Sequence, residues 1–156
     1  MKIELRKQKE ENVCIFYDAF QNGEVNQWMY RHPSSLEKEL VQFRKQKDDQ
    51  VIRRTIYAEN VYIGDIWATF VDSMENVDVL LSCCIFDRTY WNRGIASEAL
   101  SLFANELKQT YHISNLGAFL YAENKGSQKV LEKQEFALVN SFEENGKTAY
   151  FYFKKW

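Results

Sequence analysis

Along the first half of the chain, two periods of apolar residues succeed each other. Lys2-Ile-Glu-Leu-Arg6 alternates apolar with polar positions and predicts a first strand. From Glu10 to Phe20 the period becomes helical, with Val13, Phe16, Tyr17 and Phe20 on one side, and Gln21-Asn22-Gly23 ends the run. Glu24–Tyr30 adds a short helical turn carrying Trp28, Met29 and Tyr30. After Pro33, Ser34-Ser35-Leu36-Glu37 reads as a capping box for a helix with Leu36, Leu40, Val41 and Phe43 at helical spacing. Its charged remainder, down to Asp49, is a solvated face.

Three strand-like runs follow, Val51–Glu59, Asn60–Asp72 and Val77–Phe86, joined by short polar turns that make antiparallel hairpins. The pattern then switches to a helix from Gly94, a strand over Asn115–Ala122 and a helix from Lys125 to Gln134. Two last strands, Phe136–Glu143 and Thr148–Lys154, are joined by Glu144-Asn145-Gly146-Lys147, where Asn-Gly is a hairpin signal. A strand, a crossover helix and a strand require one parallel pair. The predicted class is therefore α+β, a mixed and mostly antiparallel sheet with one parallel pair, flanked by helices. With one proline and six glycines there is no stretch that reads as a linker, so residues 1–156 are expected to form one domain.

Composition narrows the function. Twenty basic against 22 acidic residues leave a net charge of −2, which gives no basic excess for nucleic acid or an anionic membrane. Cys14, Cys83 and Cys84 have no metal-ligand spacing, and as neighbours in a strand Cys83 and Cys84 point to opposite faces; they read as small apolar residues in a reducing compartment. The N-terminus lacks a signal-like apolar run and no run of about 18 apolar residues occurs, so the expectation is a cytoplasmic protein.

The candidate chemistry lies between Arg88 and Leu107. Ala96, Ala99, Leu100, Phe103 and Leu107 form one apolar helix face, and Ser97, Glu98, Ser101, Asn105 and Glu106 fill the other. Before that helix, Asn92-Arg93-Gly94 can turn tightly and present free backbone N–H groups, as an anion site requires. The same residues also suit an ordinary loop into an ordinary helix. Downstream, Asn124, Ser127, Val130, Leu131, Glu132, Lys133 and Phe136 form a second patterned segment.

Together, Tyr90-Trp91-Asn92-Arg93-Gly94-Ile95-Ala96-Ser97-Glu98-Ala99 and Asn124-x-x-Ser127-x-x-Val130-Leu131-Glu132-Lys133-x-x-Phe136 resemble the GNAT (Gcn5-related) N-acetyltransferases, in the branch of RimJ/RimL type. Tyr62-Ile-Gly-Asp-Ile66 is similar to that family's central strand. The resemblance implies the acyl-CoA N-acyltransferase fold and acetyl-CoA as cosubstrate, with the parallel pair splayed to admit the pantetheine arm between Cys83–Phe86 and Leu116–Leu120. It implies cofactor contacts at Cys84, Ile85, Phe86, Asn92, Arg93, Gly94, Ile95, Ala96, Ser97, Asn124 and Ser127, with a backbone N–H at Ile85 or Phe86 stabilising the carbonyl oxygen. Arg88 and Arg93 are the cations expected nearest the pyrophosphate. Phe16, Phe20, Trp28 and Met29 are acceptor-site candidates by the same resemblance, against a reading as core.

The implied activity is transfer of acetyl to a primary amine of a protein N-terminus or a small molecule. The alternative is a catalytically silent sensor on the same fold. Ser127 matches the serine of the RimJ/RimL branch, while capping the helix start is its alternative role; Leu131 stands where many relatives have tyrosine. Tyr121, Tyr150 and Tyr152 are further hydroxyl carriers. Asp65 and Glu98 are candidate bases, Glu98 with the competing role of stabilising its helix start, and His32 and His112 have no recognisable partner. Trp91 stands where Gln or Arg often does, Asn92 for a first glycine and Glu135 for a glycine that caps a helix. The aromatic run Tyr150–Phe153 is read as buried in the sheet, with subunit pairing as the other possibility, so either a monomer or a homodimer is expected.

Overall fold

A computed structural model describes residues 1–29, 35–47 and 49–155. Seven strands, β1 (Ile3–Lys7), β2 (Val51–Ala58), β3 (Val61–Phe70), β4 (Val79–Ile85), β5 (Asn115–Tyr121), β6 (Ala137–Glu144) and β7 (Lys147–Lys155), make one sheet in the order β1-β2-β3-β4-β5-β7-β6. Every neighbouring pair is antiparallel except β4 and β5. The helices are α1 (Glu10–Ala19), α2 (Gly23–Asn26), α3 (Leu36–Lys45), α4 (Ile95–Tyr111) and α5 (Lys125–Lys133). Two two-residue turns fix hairpin register: Glu59-Asn60 and Asn145-Gly146 all have positive φ, as the tight primed turns of hairpins need.

Strand alternation divides the core between two faces. Ile52, Ile56, Ile63, Ile66, Val79 and Leu116 are fully buried on the face covered by Ala99, Phe103 and Leu107 of α4. Each such large side chain contributes about 1.5–3 kcal/mol through burial. On the other face, Phe16 and Phe20 from α1 and its end pack with Val25 of α2 on Cys84, Trp67 and Phe86. Phe20 follows the last helical residue rather than lying within the helix, and α2 stops at Asn26. The cap of α3 is Ser35, whose side chain accepts from the Lys38 N–H, so the predicted box with Glu37 is not what starts the helix. None of the α3 residues is fully buried and Val41 is exposed. Tyr30, His32, Pro33 and Ser34 lie outside the described residues.

Two features shape the centre of the sheet. β4 and β5 pair only at Val79 with Leu116 and Leu80 with Gly117, then part. The closed end is tied by Asp78, whose Oδ2 accepts the backbone N–H groups of Ser114 and Asn115 and the Asn115 side chain at 3.0–3.3 Å. Alongside, Gly64 of β3 lets β4 press close: a Cβ there would stand 2.4 Å from the Cys84 carbonyl oxygen.

Candidate active site

The gap between β4 and β5 is lined by backbone before it is lined by side chains. The Phe86 N–H donates to the Ile63 carbonyl at 2.9 Å, and Asp65 pairs with Cys84 in the same register. Antiparallel pairing alternates, so the polar groups of Cys83 and Ile85 are turned away from β3, toward β5, where pairing has ended. The Ile85 carbonyl confirms the direction, since it accepts the Trp91 indole N–H at 2.7 Å. Of the two donors considered for an oxyanion, Phe86 is therefore already engaged and Ile85 faces the opening. The Phe86 ring, in contact with Phe16 and Tyr62, belongs to the packed face.

At the open end of the gap stands the start of α4. Gly94 precedes it with φ +77°, no side chain caps the helix, and no atom lies within 4 Å of where a Gly94 Cβ would be. Asn92, at φ 59°, supplies the other left-handed turn residue. The first-turn N–H groups of a 17-residue helix thus meet open space, and the helix dipole adds positive potential there. Ser97, assigned from its spacing to the solvent face, is buried, and its hydroxyl accepts from the Gln134 amide at 2.9 Å, tying α4 to the end of α5.

The two arginines of this loop do different things. Arg88 pairs with Glu24 at 2.5 Å, linking the loop to α2. Arg93 is exposed, lies over the Tyr90 ring and donates to the Thr89 carbonyl. On the far side of the gap, the Asn124 side chain caps α5 by accepting the Ser127 N–H at 3.2 Å, so Asn124, and not the Ser127 hydroxyl, is the cap.

These elements enclose a cleft of about 570 Å³. It gathers Cys84, Ile85, Asn92, Gly94, Ile95 and Ala96 from the β4-to-α4 passage, and Ser97 at its wall. Asn124 and Ser127 come from the start of α5, and Trp28 and Met29 from the segment after α2. Phe16, Phe20, Phe86, Arg88 and Arg93, all site expectations from the sequence, fall outside it. Phe20 is 3% exposed and stacks on Phe16, which makes it core rather than acceptor wall.

The remaining titratable candidates are also placed. Asp65 is fully buried, held by Arg53 and by the Tyr62 hydroxyl; burial pushes its carboxyl up against the pull of both partners, and also pushes up the Tyr62 phenol. Fully buried and absent from the cleft lining, it is not placed to act as a base there. Glu98 is exposed in the first turn of α4, and His112 caps the end of that helix in a left-handed conformation. Tyr121, Tyr150 and Tyr152 do not line the cleft, and the Tyr152 hydroxyl donates to Glu132. Cys84 packs in the aromatic cluster, whereas Cys83 is exposed on the cleft, where the surrounding walls and then the Asp65 charge push its thiol up to about 12.

Trp91, Tyr90, Glu24 and Phe119 are among the cleft residues not singled out as site candidates from sequence. Trp91 is a backbone tie in place of a phosphate contact. Tyr90 and Glu24 line the cleft from the loop and α2. Phe119, between Ala118 and Leu120 of β5, turns to the opposite face by alternation and closes the far wall, a period-2 signal that was present in the sequence.

With the geometry in place, the chain can be set beside known proteins. The family described as "Acetyltransferase (GNAT) domain" matches residues 2–137. No curated protein sequence matches. Among solved structures, the RimL ribosomal L7/L12 α-N-protein acetyltransferase in complex with coenzyme A superposes with a TM-score of 0.83 at 15% identity, covering 99% of this chain and 94% of that one. The aminoglycoside acetyltransferase AAC(6')-Ib with coenzyme A and kanamycin gives 0.83 at 11% identity, over 99% and 95%. A domain from Methanocaldococcus jannaschii gives 0.77 at 16%, over 96% and 97%. At these identities the superpositions establish a shared fold.

Proposed function

The chain belongs to the GNAT acetyltransferase family, and from that premise we propose that it transfers the acetyl group of acetyl-CoA to a primary amine by direct attack on the thioester. The observation that carries this reading is the coincidence of an uncapped α4 start with a strand pair that parts after two residues, both on one cleft. The coenzyme A in the RimL structure, and the coenzyme A and kanamycin in the AAC(6')-Ib structure, support the same choice of cosubstrate and acceptor class.

In this reading the pyrophosphate meets the N–H groups at Ile95–Ser97, beside Asn92 and Gly94, while the pantetheine arm takes the place of a sheet partner along Cys83–Ile85. Asn124 and Ser127 border it from α5. The neutral amine attacks the carbonyl carbon, the Ile85 N–H stabilises the oxygen as it becomes anionic, and collapse breaks the carbon–sulfur bond. The proton lost by the amine nitrogen balances the one gained by the departing thiolate. The Ser127 hydroxyl is the candidate to deliver it. Asp65, fully buried and away from the cleft lining, is given no role as base, and the neutral fraction of the amine suffices.

We assign this activity to residues 1–156 as one domain in the cytoplasm, acting on a protein N-terminus or a small molecule as monomer or homodimer. No helix among the described residues is long and apolar enough to cross a membrane. The test is release of free CoA thiol from acetyl-CoA across a panel of primary amines. Amine-dependent release supports the proposal. Tight binding of acetyl-CoA with no amine-dependent release would make the protein a silent sensor.

A further inference from the structure

Resting on the acetyltransferase reading, we propose that the acceptor is a monoamine carried on an aromatic or branched apolar body, bound between the α2 segment and Phe119, and not a polycation. The wall on the α2 side consists of Val25, Trp28 and Met29. Phe119 lines the same cleft from β5, its ring braced by Phe151 at 4.8 Å and edge-on by Phe142 at 5.7 Å. A braced ring offers a fixed apolar surface at little cost in side-chain freedom.

Charge argues in the same direction. Among the described residues, the charged side chains that line the cleft are Glu24, Glu123 and Lys125. Glu24 is already paired with Arg88, and Lys125 offsets Glu123. A polycation would surrender hydration at several ammonium groups and meet no matching set of carboxylates. A monoamine needs to lose only one charge, and it must lose that charge before it can attack. Weakly polar walls favour its neutral form.

The experiment compares kcat/KM for four acceptors at saturating acetyl-CoA: 2-phenylethylamine, a short peptide beginning with phenylalanine, spermidine and kanamycin. Acetyl-CoA binding is measured separately by calorimetry. The expected result is a preference of tenfold or more for one or both apolar amines, the two arms telling a free amine from an N-terminus. Phe119→Ala and Trp28→Ala should each raise the amine KM roughly tenfold with acetyl-CoA affinity held within about twofold, and Phe119→Leu should recover most of the loss. Circular dichroism establishes that each variant is folded, and Phe119→Leu carries the test if either alanine variant is not. Faster turnover of spermidine or kanamycin overturns this inference while leaving the acetyltransferase reading intact. Acetyl-CoA binding without release on any amine overturns both.

Discussion

The two ends of the cleft are built from different material. At the cofactor end the contacts come from main chain: the start of α4, the unpaired edge of β4 and a glycine in a left-handed turn. At the proposed acceptor end the cleft is lined by side chains delivered by separate parts of the chain, Trp28 and Met29 after α2 and Phe119 on β5. A backbone site is specified wherever the turn and the strand register are specified, and it tolerates exchange of its outward side chains. A side-chain site changes with every substitution, so one fold can hold one cosubstrate and many acceptors.

The contrast can be broken from either side. The largest effect on stability is expected for Asp65→Asn, which removes the fully buried carboxylate that pairs with the partly buried Arg53 beside Phe16 and Trp67. Loss of one member of a buried pair costs about 3–5 kcal/mol, read from the urea midpoint, while acetyl-CoA affinity in the folded fraction should move only a few-fold. Gly64→Ala does the reverse. Its Cβ meets the β4 backbone at the Cys84 carbonyl, so with about 1–3 kcal/mol of overpacking it should weaken acetyl-CoA by a hundredfold or more, as calorimetry would show.

Trp91→Phe keeps the ring and removes the hydrogen bond to the Ile85 carbonyl. A loss near 1 kcal/mol corresponds to about a fivefold rise in the KM for acetyl-CoA, with the amine KM unchanged. Smallest, and a check that the comparison concerns the cleft alone, is Glu135→Gly. Glu135 holds φ 66° just after α5, so glycine should raise stability by about 1 kcal/mol and leave both substrates unaffected, visible as a higher thermal midpoint.

The same division explains what could be read from the sequence. The strands, the parallel crossover and the start of α4 follow from periodicity and from Asn92 and Gly94, which are local signals. The Asn-Gly hairpin is equally local. Even Glu135, a residue ill suited to its turn, takes the left-handed conformation that the motif requires, because the Phe136 N–H bonds back to the Leu131 carbonyl and closes the helix. Ser97 was misplaced because helical spacing separates faces but does not reveal that α5 returns to cover the edge of α4. Phe20 was misplaced for a related reason: an aromatic residue at a helix end serves core or ligand according to what packs above it, and here Phe16 stacks on it. The roles of Arg88 and Trp91 depend on Glu24 and Ile85, partners brought to them only by the fold.

The most direct test of the cofactor end is thermal unfolding of the chain with and without acetyl-CoA, for wild type and for Gly94→Glu. A Cβ at Gly94 meets only open space, but a glutamate there carries negative charge into the mouth of the phosphate site and strains a φ of +77°. At about 100 times its Kd, a ligand adds roughly 2.7 kcal/mol, or a rise of about 5–10 °C for a chain of this size. A phosphate site at the start of α4 predicts that rise for wild type and none for the variant. An unshifted wild type, or an equal shift in both, would contradict it.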